Sequence, residues 1–197
     1  EFTGWSPLYM LGPEVTGKTL GIIGAGRIGQ ATARRAVGFN MKVIYTARTP
    51  KAEFEAATGA SYVSLDDLLK SADFISIHVP LTSQTHHLIG QRELRLMKKS
   101  AVIINTARGP VIDEKALAEA LREDLIWGAG LDVYEREPQV TEELLSLSNV
   151  VLTPHLGSST FETREKMGLM AADNILKALH GEIPPQCLNP EAAEKRR

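Results

Sequence analysis

Three short polar clusters each follow an apolar run, and together they hold an arginine, carboxylates and a histidine. They are Asn105-Thr106-Ala107-Arg108-Gly109, Asp132-Val133-Tyr134-Glu135-Arg136-Glu137-Pro138 and Thr153-Pro154-His155-Leu156-Gly157-Ser158. These residue types suit the reduction of a 2-oxo acid by a nicotinamide. A cation grips the carboxylate, a proton donor serves the carbonyl oxygen, and a carboxylate tunes that donor. Taken singly, Arg108 is as simply a sheet-end ion-pair partner, Glu137 a loop charge and His155 a satisfied histidine after a proline. All three clusters follow strands and so converge on one crevice, because ligands of open α/β sheets bind outside the carboxyl ends of strands.

The element that would position a cofactor lies near the start, in Thr19 to Gly29, TLGIIGAGRIG. Leu20 to Ile23 shows no polar alternation, as expected of a strand buried on both faces of a parallel sheet. Gly24-Ala25-Gly26-Arg27-Ile28-Gly29 then forms a G-x-G-x-x-G, followed by a helical pattern over Arg27 to Val37 that Gly38 is expected to stop. Strand, glycine turn and helix are the setting of a dinucleotide fingerprint. Gly24 permits the tight turn, Gly26 lets a pyrophosphate approach the backbone, and Gly29 lets the helix pack on the strand. The free N–H groups of the helix start hold the phosphates.

The second strand, Met41 to Thr46, ends in Thr46-Ala47-Arg48-Thr49-Pro50-Lys51. An acidic residue here would bind the 2′-hydroxyl of NAD, and none is present. Hydroxyls at Thr46 and Thr49 with the Arg48 guanidinium suit a 2′-phosphate instead. NADPH is therefore the expected cofactor, with NAD(H) left open.

Further elements alternate in the same way. A short helix over Lys51 to Thr58 ends at Gly59, a brief strand covers Ala60 to Val63, and Ser64 caps a helix over Leu65 to Lys70. Strands are expected at Phe74 to Val79, Ala101 to Asn105, Ala129 to Val133 and Val150 to Leu152. Helices are expected at Gln91 to Met97, from the Asp113 cap to Leu125, and over Ser159 to His180. The methionines of that last helix are expected to fill core. The pattern predicts a Rossmann-type, doubly wound parallel α/β sheet in a single domain. Residues 1–18 read as an opening segment, 19–183 as the NAD(P)-binding domain and 184–197 as a crossover and charged tail. Val79 closes its strand, and Pro80 to Thr85 form a loop at that strand's carboxyl end, on the cofactor side. His78, placed within its strand, and His86 and His87 read as structural or solvated.

The 197 residues are 43% hydrophobic and carry a net charge of −2, which suits a globular core and offers no broad field for nucleic acid. No apolar run approaches the roughly 20 residues that span a bilayer, so no membrane partner is expected. Cys187 is the single cysteine, which excludes an intrachain disulfide and points to a cytoplasmic setting. No metal site is expected.

GIIGAGRIG, INTARGPVID, GAGLDVYEREP and LTPHLGSS closely resemble the nucleotide-binding domain of the D-isomer-specific 2-hydroxyacid dehydrogenases, most nearly the glyoxylate/hydroxypyruvate reductase group. The resemblance runs from about Gly4 to Pro190 with the motifs in the family's order. It implies that Arg108 binds the substrate carboxylate and polarises the carbonyl. His155 would be the general acid in reduction. Glu137, immediately before the proline and easily confused with Glu135, would bond the far nitrogen of His155, orienting the ring and favouring imidazolium. Asp132 would meet the nicotinamide side. Arg27 and Ile28 would face the pyrophosphate, with Thr85, Thr106, Ala107, Gly157 and Ser158 nearby, and Arg48 matches the basic position of NADPH-preferring members.

The resemblance further implies a small 2-oxo or 2-hydroxy acid substrate and a homodimer through this domain, which the apolar Trp5 to Leu11 stretch would serve. The family builds its substrate domain from sequence on either side of this one, so the chain is expected to be the cofactor-binding part, with weak or no turnover alone. Two other readings stand beside it. One is an NAD-dependent D-2-hydroxyacid or phosphoglycerate dehydrogenase. The other is a nucleotide-responsive binding protein like the family's corepressor relatives.

Overall fold

The computed structural model describes residues 4–191, which divide into two compact units, one up to His155 and one from Leu156 onward. The boundary falls after His155, inside the 19–183 span read as one domain. Glu1 to Thr3 of the opening segment and residues 192–197 of the charged tail lie outside the described residues.

The first unit is built on a seven-stranded sheet whose strands all run parallel. In chain order its elements are β1 (Thr19–Ile23), α1 (Arg27–Ala36), β2 (Lys42–Thr46), α2 (Ala52–Thr58), β3 (Ser61–Tyr62), α3 (Leu65–Ser71) and β4 (Phe74–Ile77). There follow α4 (Gln91–Leu96), β5 (Val102–Asn105), α5 (Glu114–Arg122), β6 (Gly128–Leu131), α6 (Glu142–Leu145) and β7 (Val150–Leu152). The spatial order is β3-β2-β1-β4-β5-β6-β7. Strand order reverses between β1 and β4, which makes their carboxyl ends the topological switch point.

The unbroken apolar strands follow from burial on both faces. Leu20 and Ile22 of β1 pack with Ala33, Ala36 and Phe54 from α1 and α2. Ile23, one residue on, joins Ile44, Leu68, Ile75, Leu94 and Leu117 on the other face, under α3, α4 and α5. Helix starts are capped as the residue types dictate: Ser64 Oγ accepts from Asp67 N, and Asp113 Oδ1 accepts from Ala116 N.

Several expected boundaries move, each for a local reason. Gly38 does not stop α1; the chain continues through a 3₁₀ turn, Val37–Phe39, and Asn40 ends it in the left-handed region at φ 55°. Asparagine tolerates that conformation. β4 ends at Ile77, so His78 lies beyond it, because its partner Ile23 is the last residue of β1 before the glycine turn. α5 ends at Arg122, where Asp124 turns left-handed at φ 50° and Leu125 N–H reaches back to Ala120 O. α6 was not expected, since four residues show no period.

The second unit contains α7 (Phe161–Leu179), capped where Thr160 Oγ1 accepts from Thr163 N. Its methionines are not core: Met167 is 56% and Met170 40% exposed, and no residue of the helix is buried. Among the described residues the unit has no second layer to cover an apolar stripe. Trp5, Leu8, Met10 and Leu11 of the opening segment are also exposed, Trp5 at 83%. Among the described residues no helix is long and apolar enough to cross a membrane.

The packing of α1 on β1 gives a direct test. A Cβ on Gly29 would overlap the Gly24 carbonyl oxygen and press on Ile22 Cγ2 at 3.1 Å. Gly29→Ala is expected to destabilise the chain by about 1–3 kcal/mol, the usual cost of overpacking a close contact. Urea unfolding reads this, and an unchanged midpoint would show that the helix can back away freely.

Candidate functional site

The glycine loop divides its labour by geometry. Gly24 sits at φ 102°, and a Cβ there would lie 2.8 Å from the His78 carbonyl carbon and oxygen. Its N–H donates to Thr46 O, which ties the loop to the end of β2. Gly26 has open space where a Cβ would stand. No side chain caps α1 at Gly26, and no acidic residue occupies its first turn. Its first N–H groups therefore have neither an intrahelical partner nor a competing anion, the arrangement that binds phosphate. These features fit a dinucleotide pyrophosphate.

A cleft of about 590 Å³ opens beside this loop. It brings together Gly24, Gly26, Arg48, Thr49, Val79 and Pro80 from the sequence-predicted set. It adds Ala25, Ala47, Lys51 and His78, which sequence reasoning passed over as ligands. Lys51 had a visible signal, a second cation three residues past Arg48. His78 had none, because its place depends on β4 ending early. Its Nε2 lies 2.9 Å from Ser76 Oγ, and burial lowers its basicity.

Other predicted cofactor residues lie outside this lining. Thr46 ends β2, Gly29 is buried beneath the loop, and Arg27 and Ile28 are exposed on the first turn of α1. Thr85 braces its own loop, with Oγ1 donating to Pro80 O at 2.6 Å and accepting from Thr82 N at 2.8 Å. Thr106 and Ala107 sit in the turn after β5. Gly157 and Ser158 belong to the second unit, where Ser158 O accepts from Thr160 N.

The three polar clusters leave the adjacent strands β5, β6 and β7. Buried Asn105 shapes the first turn: its Oδ1 accepts from Ala107 N and its Nδ2 donates to Arg108 O, both at 3.0 Å. Arg108 is exposed and donates from Nη1 to Ala107 O at 2.6 Å. Gly109 then passes under the second cluster, where a Cβ would overlap the Tyr134 carbonyl and Glu135 N. Only glycine permits that crossing.

Glu137 and Glu135 have separate duties. Glu137 Oε2 lies 2.9 Å from His155 Nδ1, and Glu137 Oε1 accepts from Tyr134 N at 3.1 Å. The His155 contact chiefly holds the Glu137 carboxyl below its ordinary range, against some loss of solvation, and Arg108's charge adds to the effect. Glu135 Oε1 instead accepts from Glu114 N at 2.9 Å and lies 3.2 Å from His87 Nε2. Glu114 is 3% exposed; its Oε1 accepts from Glu135 N at 2.7 Å and its Oε2 from Thr141 Oγ1. Buried Asp132 accepts from Thr153 Oγ1 at 2.6 Å, and Tyr134 Oη donates to Thr153 O at 2.8 Å. These bonds tie the loop bearing Glu137 to the loop bearing His155. With Nδ1 on the carboxylate, the chemistry left to the imidazole is proton exchange at Nε2.

A carboxyl lowered on folding stabilises the native state above its unfolded pKa, and that contribution is lost as pH falls through the folded value. Glu137→Gln is therefore expected to cost stability at neutral pH, with the gap to wild type closing on acidification through the carboxylate range. The side chain is partly exposed, so the gap is small. Urea unfolding across pH checks this, and a gap that widened in acid would contradict the pairing.

Comparison with known proteins agrees with this architecture. The family described as D-isomer specific 2-hydroxyacid dehydrogenase, NAD binding domain, matches residues 2–157. The glyoxylate reductase of Thermococcus litoralis is 57% identical over 186 residues, 94% of this chain and 56% of that protein. That of Pyrococcus furiosus is 52% identical over 193 residues, 98% of this chain and 57% of that protein. The crystal structure of a glyoxylate reductase from Paecilomyes thermophila superposes with a TM-score of 0.81 at 47% identity, covering 88% of this chain and 53% of the other. The chain thus spans a little over half the length of these relatives. It belongs to the D-isomer-specific 2-hydroxyacid dehydrogenase family and carries that family's NAD-binding domain.

Proposed function

We propose that this chain binds NADPH and forms the cofactor half of a reductase for glyoxylate, hydroxypyruvate or a similar small 2-oxo acid. The observation that carries the reading is the 2.9 Å pair of Glu137 and His155, with Arg108 close enough to lower the Glu137 carboxyl. The naming of relatives as glyoxylate reductases supports the substrate class.

A reduced nicotinamide, when bound, supplies a hydride to the carbonyl carbon. Arg108 grips the substrate carboxylate and polarises the carbonyl, for which its planar fork is suited. His155 holds a proton at Nε2 and gives it to the carbonyl oxygen as charge develops there. Glu137 fixes the ring through Nδ1 and favours the imidazolium that donates. Asp132, bonded to Thr153, faces the nicotinamide side in this reading. Gly24, Gly26 and the α1 start, with Arg27 and Ile28, take the pyrophosphate region. Val79, Pro80 and Thr85 line the cofactor side, with Thr106 and Ala107 beside Arg108.

The preference for the 2′-phosphate rests on Arg48 and Thr49 lining one cleft with Gly24 and Gly26, with Lys51 as a second cation. We further read the exposed Trp5, Leu8, Met10 and Leu11 as part of a homodimer interface, and the single cysteine as supporting a cytoplasmic setting.

Titration with NADPH and NADH, followed by nicotinamide fluorescence, is expected to show tighter NADPH. Arg48→Gln should weaken NADPH about tenfold or more and leave NADH nearly unchanged, as for loss of a charge-assisted bond. Tighter NADH would overturn the 2′-phosphate reading. In the two-domain protein, His155→Ala should lower kcat for glyoxylate about 10²- to 10⁴-fold, the usual range for a general acid. Retained turnover would overturn the assignment of the donor.

A further inference from the structure

The Arg48 loop, Ala47 to Lys51, joins the end of β2 to the start of α2, and a pair of phenols holds it from the two ends. Lys51 N–H donates to Tyr45 Oη at 2.6 Å, and Tyr45 Oη donates to Glu55 Oε1 at 2.7 Å. Tyr62 Oη donates to Ala47 O at 3.3 Å. Tyr45 is fully buried, and its ring stands edge-on to both Phe54 (5.0 Å, 75°) and Tyr62 (5.6 Å, 70°). The strand keeps Tyr45 in place on the backbone side as well, where its carbonyl accepts from Val63 N.

We infer that Tyr45, braced by Glu55 and seconded by Tyr62, is the positioning residue that gives the site its discrimination between NADPH and NADH. The inference rests on the NADPH reading above and names the device behind it. Arg48 and Thr49 stand on a loop of five residues. A loop free to sample many shapes must be ordered when the phosphate binds, and that cost is subtracted from affinity. The clasp fixes both ends of the loop before the ligand arrives. Its benefit falls on NADPH alone, because NADH lacks the 2′-phosphate that the loop would hold. A general packing role would act differently, weakening both cofactors together.

Two features make the phenol suited to this work. It is donor and acceptor at once, so one buried group ties the loop's end to the α2 side chain of Glu55. Burial, with Glu55 next to it, raises the Tyr45 pKa, so the phenol stays a neutral donor at any working pH.

The test titrates the 197-residue chain and three variants with NADPH and NADH at fixed salt. Tyr45→Phe keeps the ring packing and removes the bonds. Glu55→Ala removes the phenol's acceptor from a half-buried helix position, while Glu55→Gln keeps an accepting oxygen there. Tyr45→Phe and Glu55→Ala should lower the NADPH preference about three- to tenfold, with NADH affinity within about twofold of wild type, as for loss of one or two hydrogen bonds. Glu55→Gln should keep the preference. If Tyr45→Phe fails to fold, the Glu55→Ala and Glu55→Gln pair carries the same contrast. An unchanged preference in Tyr45→Phe or Glu55→Ala, or parallel weakening of both cofactors, overturns the clasp while leaving NADPH selection intact. A Glu55→Gln loss as large as that of Glu55→Ala also overturns it, by assigning the effect to charge. A wild-type chain with no NADPH preference overturns the cofactor reading and the clasp together.

Discussion

One row of residues runs across the sheet, Thr46, Ile23, Ile77, Asn105, Leu131 and Leu152, each the last of its strand and each in register with its neighbour. Parallel pairing sends neighbouring strands in one direction, so their following residues leave the sheet along one edge. The glycine turn follows Ile23, the Arg48 loop follows Thr46, and His78 to Pro80 follow Ile77. The Arg108 turn, Asp132 and Thr153 follow the next three. A slip of one residue in this register would part these groups and turn every strand side chain to the wrong layer.

The edge brings the loops together, and buried polar atoms then lock them. Asn105, Glu114 and Asp132 are all nearly inaccessible to water, so leaving any of them unbonded would cost about 1–3 kcal/mol. Each is bonded to a neighbouring loop or turn. Asn105 closes the Arg108 turn, Glu114 holds Glu135 and Thr141, and Asp132 holds Thr153. Because Glu135 is committed to Glu114, Glu137 is the carboxylate of that loop that meets His155. Charge and position are thus divided between residues two apart in sequence.

The same division runs through the cofactor side. Gly24 and Gly29 serve close contacts between backbone segments, and Gly26 leaves open space. Beyond the glycines, the buried Tyr45 phenol accepts from Lys51 N–H at the end of the loop that carries Arg48 and donates to Glu55.

The sequence alone determined the features whose causes are local. Unalternated apolar runs announced doubly buried strands, Ser64 and Asp113 announced their helices, and the spacing of Gly24, Gly26 and Gly29 announced the turn. The absence of an acid after Tyr45 was legible for the same reason. Tertiary structure decided what depends on residues distant in the chain. Gly109 must be glycine because the chain at Tyr134 crosses it, and His78 joins the cleft because Ile23 ends its partner strand. Lys51 is held through Tyr45, and Glu135 is engaged by Glu114 from 21 residues away. The methionines of α7 showed a helical period but no burial, since a period marks one face of a helix and only a neighbouring layer can cover it. Local preference follows from bonded geometry and solvent; contacts between distant residues exist only once the sheet has aligned its strands.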